Sequence, residues 1–288
     1  MIYRLLAINI DDTLIQPNGK ISKETKEAIQ YVQEKGIYVT LVTSRSFPAA
    51  KKVAKALKIK GDLITHQGAY ISSEMGKPIY MKKLEDNITF DIAQFLSTFS
   101  CQIRLADENN AIMNKAKLPE SLLGKKVWER DSRFISTNQY VDSISEYLMD
   151  NKFNPTKIDV VFEHQRDAIK VMKMLKGMYD EIDMFVNDTC RLEIVANGVS
   201  KLKGLMLLSE KLNIPRYQVV MIGVGDCDLP LIEWAGQGVA MGNASYKVKK
   251  KADWITRSNR DNGVAYMIKE CFRKQQTLEF LKRMNLID

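Results

Sequence analysis

Short apolar segments alternate with helix-like segments near the N-terminus, and this alternation restricts the chain to a small set of folds. The apolar segments have strand length, whereas the segments between them are long enough for helices and have a helical period. Strands that alternate with helices predict a parallel sheet covered on both faces. The predicted strands are 3–10, 37–44 and 62–71, and the predicted helices are 22–36 and 47–59.

The pattern changes at about residue 83 and returns at about residue 197. The region between combines helical stretches with pairs of short strands that are typical of hairpins. Beyond it, 201–213 is predicted to be a helix and 217–225 a strand. We therefore expect an α/β fold in which a Rossmann-like parallel-sheet core is interrupted by an inserted α+β cap domain. The predicted boundaries are 1–83 and 191–288 for the core and 84–190 for the cap.

The composition is ordinary for a globular protein of 288 residues, with 45% hydrophobic and 27% charged residues. No apolar run approaches the roughly 20 residues that a membrane span requires, and the N-terminus is too strand-like for a signal peptide. The four cysteines lie far apart without a CxxC pair, which favours reduced thiols over disulfides or structural zinc. We expect a cytoplasmic protein that does not bind membranes.

The net charge is +8, from 43 basic and 35 acidic residues, which raises the question of nucleic acid or phosphorylated ligands. The densest basic run, 246–254, has the pattern of one solvated helix face. No zinc-finger spacing or RNA-binding aromatic motif is present. We therefore do not expect nucleic acid to be a partner.

Polar residues follow the predicted strands of the core, at the points where each strand ends. In an open parallel sheet, ligands bind outside the carboxyl ends of the strands. We expect these groups to meet at one edge of the sheet and to form the functional site. They are Asn9–Thr13, Thr43–Arg45, Lys201 at a helix start, and Asp226–Asp228.

These groups occur in motifs, and their order around an inserted module is distinctive. The motifs are "INIDDTL", "VTSR", "HQGAYI", "NGVSKLKGL" and "GVGDCDLPLIEWAGQGVAMGNA". With them the chain resembles, over essentially its whole length, the Cof-type phosphatases of the haloacid dehalogenase superfamily, the branch with a large C2-type α/β cap. The resemblance implies an Mg²⁺-dependent phosphatase whose substrates are small phosphorylated metabolites.

The resemblance also implies roles for individual residues. In such enzymes, an Asp at the first strand end attacks phosphorus, and a second Asp two residues later acts as general acid and base. Asp11 stands at the general acid/base position, and Thr43, Ser44 and Lys201 at phosphate-binding positions. The implied metal ligands are Asp11 and Asp228, with Asp226 as a displaced alternative.

Several residues depart from the family pattern, and two of these substitutions bear directly on catalysis. Asn9 stands at the position of the nucleophilic Asp, and Val224 stands where a metal-binding Asp belongs. A carboxamide does not replace a carboxylate as nucleophile, and removal of a nucleophile from a hydrolase can cost about 10⁶ in kcat. Together the substitutions remove two negative charges, and the absence of Mg²⁺ would remove two positive ones. We therefore expect a pocket that is electrostatically balanced without metal and still binds anions through Thr43, Lys201 and backbone N–H groups of the first loop.

Three functions are compatible with the sequence. The first, implied by the resemblance, is an Mg²⁺-dependent phosphatase of small phosphorylated metabolites, either active through a rearranged metal site or with weak or lost activity and no bound Mg²⁺. The second is a non-catalytic pseudophosphatase that binds a phosphorylated ligand or a protein partner, and the third is a basic protein associated with nucleic acid. The expected partner in the first two is a small phosphorylated molecule or inorganic phosphate. The sequence does not specify the oligomeric state.

Structural interpretations compete with the functional ones at several positions. Asn9 is interpreted as a strand-end residue that bonds to nearby loop amides, and Asp12 as pointing to solvent or pairing with a base such as Arg45. His66 is interpreted as a partly exposed polar residue beside a turn. Cys227 is interpreted as a small apolar filler.

Overall fold

A computed structural model describes residues 2–73, 76–115, 138–186 and 190–286. The core contains eight strands: β1 Leu5–Asn9, β2 Tyr38–Val42, β3 Leu63–Thr65, β4 Tyr70–Ser72, β5 Pro78–Met81, β12 Val219–Gly223, β13 Gln237–Ala240 and β14 Trp254–Ile255. They form one sheet in the order β14-β13-β12-β1-β2-β3-β4-β5. The pairs from β14 to β3 are parallel, whereas β4 and β5 are antiparallel additions at one edge.

The predicted third strand over 62–71 is wrong in one respect, because the segment folds back on itself. β3 ends at Thr65, a turn spans His66–Gly68, and β4 returns antiparallel to β3. The turn places Gln67 at φ +62° and Gly68 at φ +100°. Backbone in the left-handed region cannot continue a strand, so the apolar segment is divided here.

The chain segment between the two parts of the core forms a second sheet, that of the cap. Its six strands are β6 Cys101–Ala106, β7 Ala111–Asn114, β8 Asn138–Val141, β9 Lys157–Phe162, β10 Ile182–Val186 and β11 Arg191–Ala196. Its order is β10-β11-β9-β6-β7-β8. All pairs are antiparallel except β7 with β8. Since β11 pairs with β9 and β10, the sheet of the inserted module extends past residue 190, where the sequence placed its end.

Helices cover both faces of the core sheet, and β1 supplies apolar side chains to each face in alternation. Leu6 and Ile8 pack in one buried cluster, whereas Leu5 and Ala7 pack in another. The cap has a separate core, formed between one face of its sheet and its own helices. The helices are Lys23–Glu34, Phe47–Ala56, Asp86–Leu96, Ile144–Asp150, Gln165–Met178, Lys201–Lys211, Leu229–Trp234, Tyr246–Lys251, Gly263–Phe272 and Leu278–Arg283.

The basic run that follows residue 245 forms a helix whose lysines face solvent. Only Val248 is buried in helix Tyr246–Lys251, and Lys247 and Lys251 pair with acids of the same surface, Asp226 and Glu233. In the described part of the chain, no helix combines the length and apolar character that crossing a membrane demands.

The parallel register of the sheet determines where the site forms. β1 lies between β12 and β2, with Ile8 opposite Ile222 and Asn9 opposite Val42. The segments that follow these strands therefore emerge side by side, as the sequence predicted.

Candidate functional site

Asn9 ends β1 and is 5% exposed. Its Nδ2 donates to the Asp11 carbonyl at 3.0 Å and to Thr13 Oγ1 at 3.4 Å, while its Oδ1 accepts from Lys201 Nζ at 3.4 Å. Reversing the amide would place two acceptors together at Asp11 and two donors together at Lys201, so its orientation is determined by its neighbours. Asn9 thus bonds to a loop carbonyl rather than to the loop amides that the sequence suggested.

Asp11 forms a two-pronged ion pair with Arg45. Arg45 Nε donates to Asp11 Oδ2 at 2.9 Å, and Nη2 donates to Oδ1 at 2.7 Å. The Arg45 side chain is only 6% exposed, whereas that of Asp11 is 27% exposed. This geometry favours the ionised carboxylate. Arg45, which the sequence suggested as a partner for Asp12, therefore pairs with Asp11. Asp12 is exposed and lies in a left-handed turn at φ +53°.

Thr43 follows β2 and is fully buried. Its Oγ1 accepts the Arg45 N–H at 3.1 Å, which closes a tight turn over residues 43–45. Arg45, the last residue of this 43–45 loop, pairs with Asp11. Thr43 therefore lies beside the other strand-end residues, as predicted. Ser44 is half-buried at the centre of the loop.

Lys201 and Asp228 form a buried ion pair, with Nζ and Oδ1 separated by 2.8 Å. Asp228 Oδ2 accepts the backbone N–H groups of Val224 at 3.0 Å and Gly225 at 3.2 Å. Burial tends to lower the pKa of Lys201, but the Asp228 carboxylate, together with Cys227 and Glu193, holds that pKa above its usual value. The ammonium is therefore charged at neutral pH.

The structure brings together Asn9, Asp11, Thr43, Lys201 and Asp228, but it does not bring Asp226 to them. The Asp226 side chain is 58% exposed and pairs with Lys247 at 2.8 Å. The displaced carboxylate that the sequence offered as an alternative metal ligand thus lies on the surface.

The donor set does not fit Mg²⁺ as it is arranged. Asn9 Oδ1 accepts from Lys201, the Asp11 carbonyl accepts from Asn9, and both Asp228 oxygens accept N–H groups. Val224 supplies no side-chain oxygen. Mg²⁺ requires oxygen ligands in octahedral geometry, and the described residues contain no group of three or more acidic, His or Cys side chains placed to hold a metal ion.

His66 is fully buried, so the expectation of partial exposure is wrong. Its Nε2 accepts the Phe47 N–H at 3.0 Å, which leaves the ring proton on Nδ1, 2.9 Å from Thr156 Oγ1 in the cap. Burial, with Lys157 and Arg104 nearby, lowers the pKa of His66 well below its usual value, although Asp159 opposes this. His66 is thus a neutral link between core and cap.

Acidification is expected to destabilise the fold through His66. An unfolded imidazole has a pKa of about 6.5, whereas that of the folded ring is much lower. As the pH falls below about 6.5, the unfolded state binds the proton first, so the stability present at neutral pH is lost by up to about 1.4 kcal/mol per pH unit. Urea denaturation at pH 7.5 and pH 5.5 measures this loss.

The variant His66→Gln is expected to show a smaller loss between the two pH values than the wild type. His164→Gln is the matched control, because His164 is exposed at the surface of the cap. An equal pH dependence in the wild type and in His66→Gln would contradict this assignment.

Cys227 lies in the same site without the properties of a nucleophile. Its pKa is raised, chiefly by burial and further by Glu193 and Asp228, although Lys201 and a hydrogen bond with Gln67 oppose this. The neutral thiol predominates at pH 7, and the thiolate is the reactive form. The sequence interpretation of Cys227 as an apolar filler is compatible with this environment.

Residues 6–268 match the family described as haloacid dehalogenase-like hydrolase. The chain belongs to this family. The match confirms the Cof-type resemblance and the α/β fold with a Rossmann-like core and a cap, and it places the chain among phosphatases of the haloacid dehalogenase superfamily.

Relatives extend over nearly the whole chain. The stress response protein YhaX of Bacillus subtilis is 46% identical over 99% of both chains. The 5-amino-6-(5-phospho-D-ribitylamino)uracil phosphatase YcsE of the same organism is 27% identical, covering 92% of this chain and 94% of its own. A haloacid dehalogenase-like hydrolase from Bacteroides thetaiotaomicron superposes with a TM-score of 0.81 at 26% identity, covering 94% of this chain and 100% of its own.

Proposed function

We propose that this protein binds inorganic phosphate or a small phosphorylated molecule and has little or no aspartyl-phosphatase activity. The observation that carries the proposal is the amide of Asn9 at the position of the nucleophile. Its nitrogen is held by the Asp11 carbonyl and its oxygen by Lys201. An amide in this arrangement offers no carboxylate to attack phosphorus.

The Asp11–Arg45 pair supports the same conclusion. A general acid must carry a proton that it can transfer, and its pKa must lie near the working pH. Two hydrogen bonds from a guanidinium stabilise the charged carboxylate instead. Asp11 is thus better suited to hold Arg45 in the pocket than to protonate a leaving group.

The charges of the site support anion binding without a metal. Asp11 and Asp228 are balanced by Arg45 and Lys201, so the four groups sum to zero. An incoming phosphate is not repelled by uncompensated carboxylates, and it would meet Lys201 and the Thr43 hydroxyl. The family relationship supports phosphate as the ligand class.

Phosphate is expected to stabilise the wild type against heat, because a ligand that binds only the folded state shifts unfolding by mass action. At 100 times Kd the stabilisation is about 2.7 kcal/mol. Thr43→Val is expected to lose most of the shift, whereas Lys247→Met, on the surface, keeps it. Differential scanning fluorimetry with phosphate against chloride at equal ionic strength measures this. No shift up to millimolar phosphate would remove the binding proposal.

The loss of catalysis is tested separately by following Mg²⁺-dependent hydrolysis of a generic phosphate ester. The wild type is expected to show at most a trace that Asp11→Asn does not change. Efficient hydrolysis that Asp11→Asn abolishes would show an active phosphatase and overturn the catalytic part of the proposal. The name of the 46% identical relative, a stress response protein, is compatible with a non-catalytic role. The cytoplasmic location stays a prediction.

A further inference from the structure

The carbonyl groups of the 43–45 loop are anchored by residues from other segments. The Thr43 carbonyl accepts the Gln67 N–H at 3.3 Å, and the Arg45 carbonyl accepts the His66 N–H at 2.9 Å. Both donors belong to the turn between β3 and β4, within the core. Two of the three peptide groups of the loop are thus oriented by the core itself.

The third carbonyl, that of Ser44, is held by the cap. Lys157 opens β9 of the cap sheet and is 1% exposed, and its Nζ donates to the Ser44 carbonyl at 2.7 Å. The same ammonium pairs with Asp159 at 2.9 Å and with Glu193 at 3.2 Å. An ammonium has three donors, so each of its N–H groups has a partner.

The acidic partners of Lys157 are themselves held in place across the cap sheet. Asp159 lies opposite Arg104 on β6 and opposite Glu193 on β11, so the three side chains share one face of the sheet. Burial tends to raise the pKa of Asp159, but Arg191, Lys157 and Arg104 lower it below its usual range. Asp159 is therefore ionised, and its carboxylate helps to fix the position of the Lys157 ammonium. This cap cluster comprises Arg104, Lys157, Asp159, Arg191 and Glu193.

We propose that Lys157 is a positioning residue through which the cap orients the Ser44 peptide and thereby sets the 43–45 loop for anion binding. The inference deepens the proposed function, on which its ligand rests. The position of the cap and the anion affinity are then coupled, because the Lys157–Ser44 contact joins the cap to the 43–45 loop. The coupling is reciprocal, so a bound anion favours the cap position that makes this contact.

With the cap displaced, the 43–45 loop would lose one of its three anchors, because Lys157 of the cap holds the Ser44 carbonyl.

The test compares Lys157→Met with Lys157→Arg and with the control Lys115→Met, a lysine of the cap surface that pairs with Asp142. Hydrogen exchange is measured on peptides that cover residues 41–50 and 64–69, and phosphate affinity by calorimetry. Lys157→Met is expected to raise exchange in these peptides about tenfold and to weaken phosphate binding about tenfold. Lys157→Arg is expected to recover part of both, and Lys115→Met to match the wild type.

Removing a buried cation alone can impair folding. The charge-balanced double variant Lys157→Met with Glu193→Gln is therefore measured beside the single variant Lys157→Met. It deletes one positive and one negative charge, leaves Asp159 paired with Arg191, and is expected to show the same loop exchange. Wild-type loop exchange in Lys157→Met and in the balanced double variant would overturn the inference. If the wild type does not bind phosphate, the proposed function fails, while loop exchange still decides whether Lys157 positions the loop.

Discussion

The double variant Asn9→Asp with Val224→Asp is expected to hydrolyse a generic phosphate ester at least about 10³-fold faster than the wild type when Mg²⁺ is present. Loss of a hydrolase nucleophile can cost about 10⁶ in kcat, so restoring it recovers part of that factor. The two added carboxylates also add two negative charges to the site, which a divalent cation neutralises. Steady-state kinetics with and without Mg²⁺ measure the gain.

Each single variant is expected to fall far short of the double. Asn9→Asp alone adds one buried negative charge near Asp228 without completing a metal site, so it is expected to lower stability as well. Val224→Asp alone has no nucleophile. Adding Asp11→Asn to the double variant is expected to abolish the gained activity. A wild-type rate equal to that of the double variant, or a full gain in Val224→Asp alone, would contradict the assignment of Asn9.

The variant Lys201→Met is expected to lose about 3 kcal/mol of stability. Breaking a buried ion pair by removal of one partner costs about 3–5 kcal/mol, because the other charge stays buried. Asp228 is only 1% exposed but keeps two backbone N–H donors, from Val224 and Gly225, so the lower end of this range applies. The free energy of unfolding in urea, measured at pH 7, gives the loss.

Two controls separate this loss from a general effect of the substitution. Lys247→Met removes a lysine from an exposed pair with Asp226 and is expected to change stability little. Adding Asp228→Asn to Lys201→Met removes the stranded charge and is expected to recover part of the stability. If Lys201→Met unfolds at the same urea concentration as the wild type, the ion pair does not stabilise the fold.

Several parts of the site follow from the local pattern of the sequence. Asn9, Thr43 and Val224 each come directly after an apolar run of strand length. The carboxyl ends of parallel strands meet at one edge, so the proximity of these residues is predictable from the order of the strands along the chain. The segment after residue 62 was predicted wrongly, because left-handed backbone at Gln67 and Gly68 divides it.

The partners of the charged groups were not predictable in the same way. Arg45 pairs with Asp11 across 34 residues of chain, and Lys157 reaches Ser44 across 113. Sequence spacing does not specify such contacts, since the first depends on how two loops of the core pack and the second on how the cap meets the core. The burial of His66 against Thr156 of the cap has the same origin.

The sequence by itself thus determined the order of strands and helices, the edge of the sheet where the site forms, and the amide at position 9. These follow from side-chain period and residue chemistry, which are local properties. The tertiary structure alone decided that Asp11 is held by Arg45, that Asp226 lies on the surface, and that the cap contacts the 43–45 loop. Those outcomes depend on which buried charges must find partners, and that is settled only when distant segments pack together.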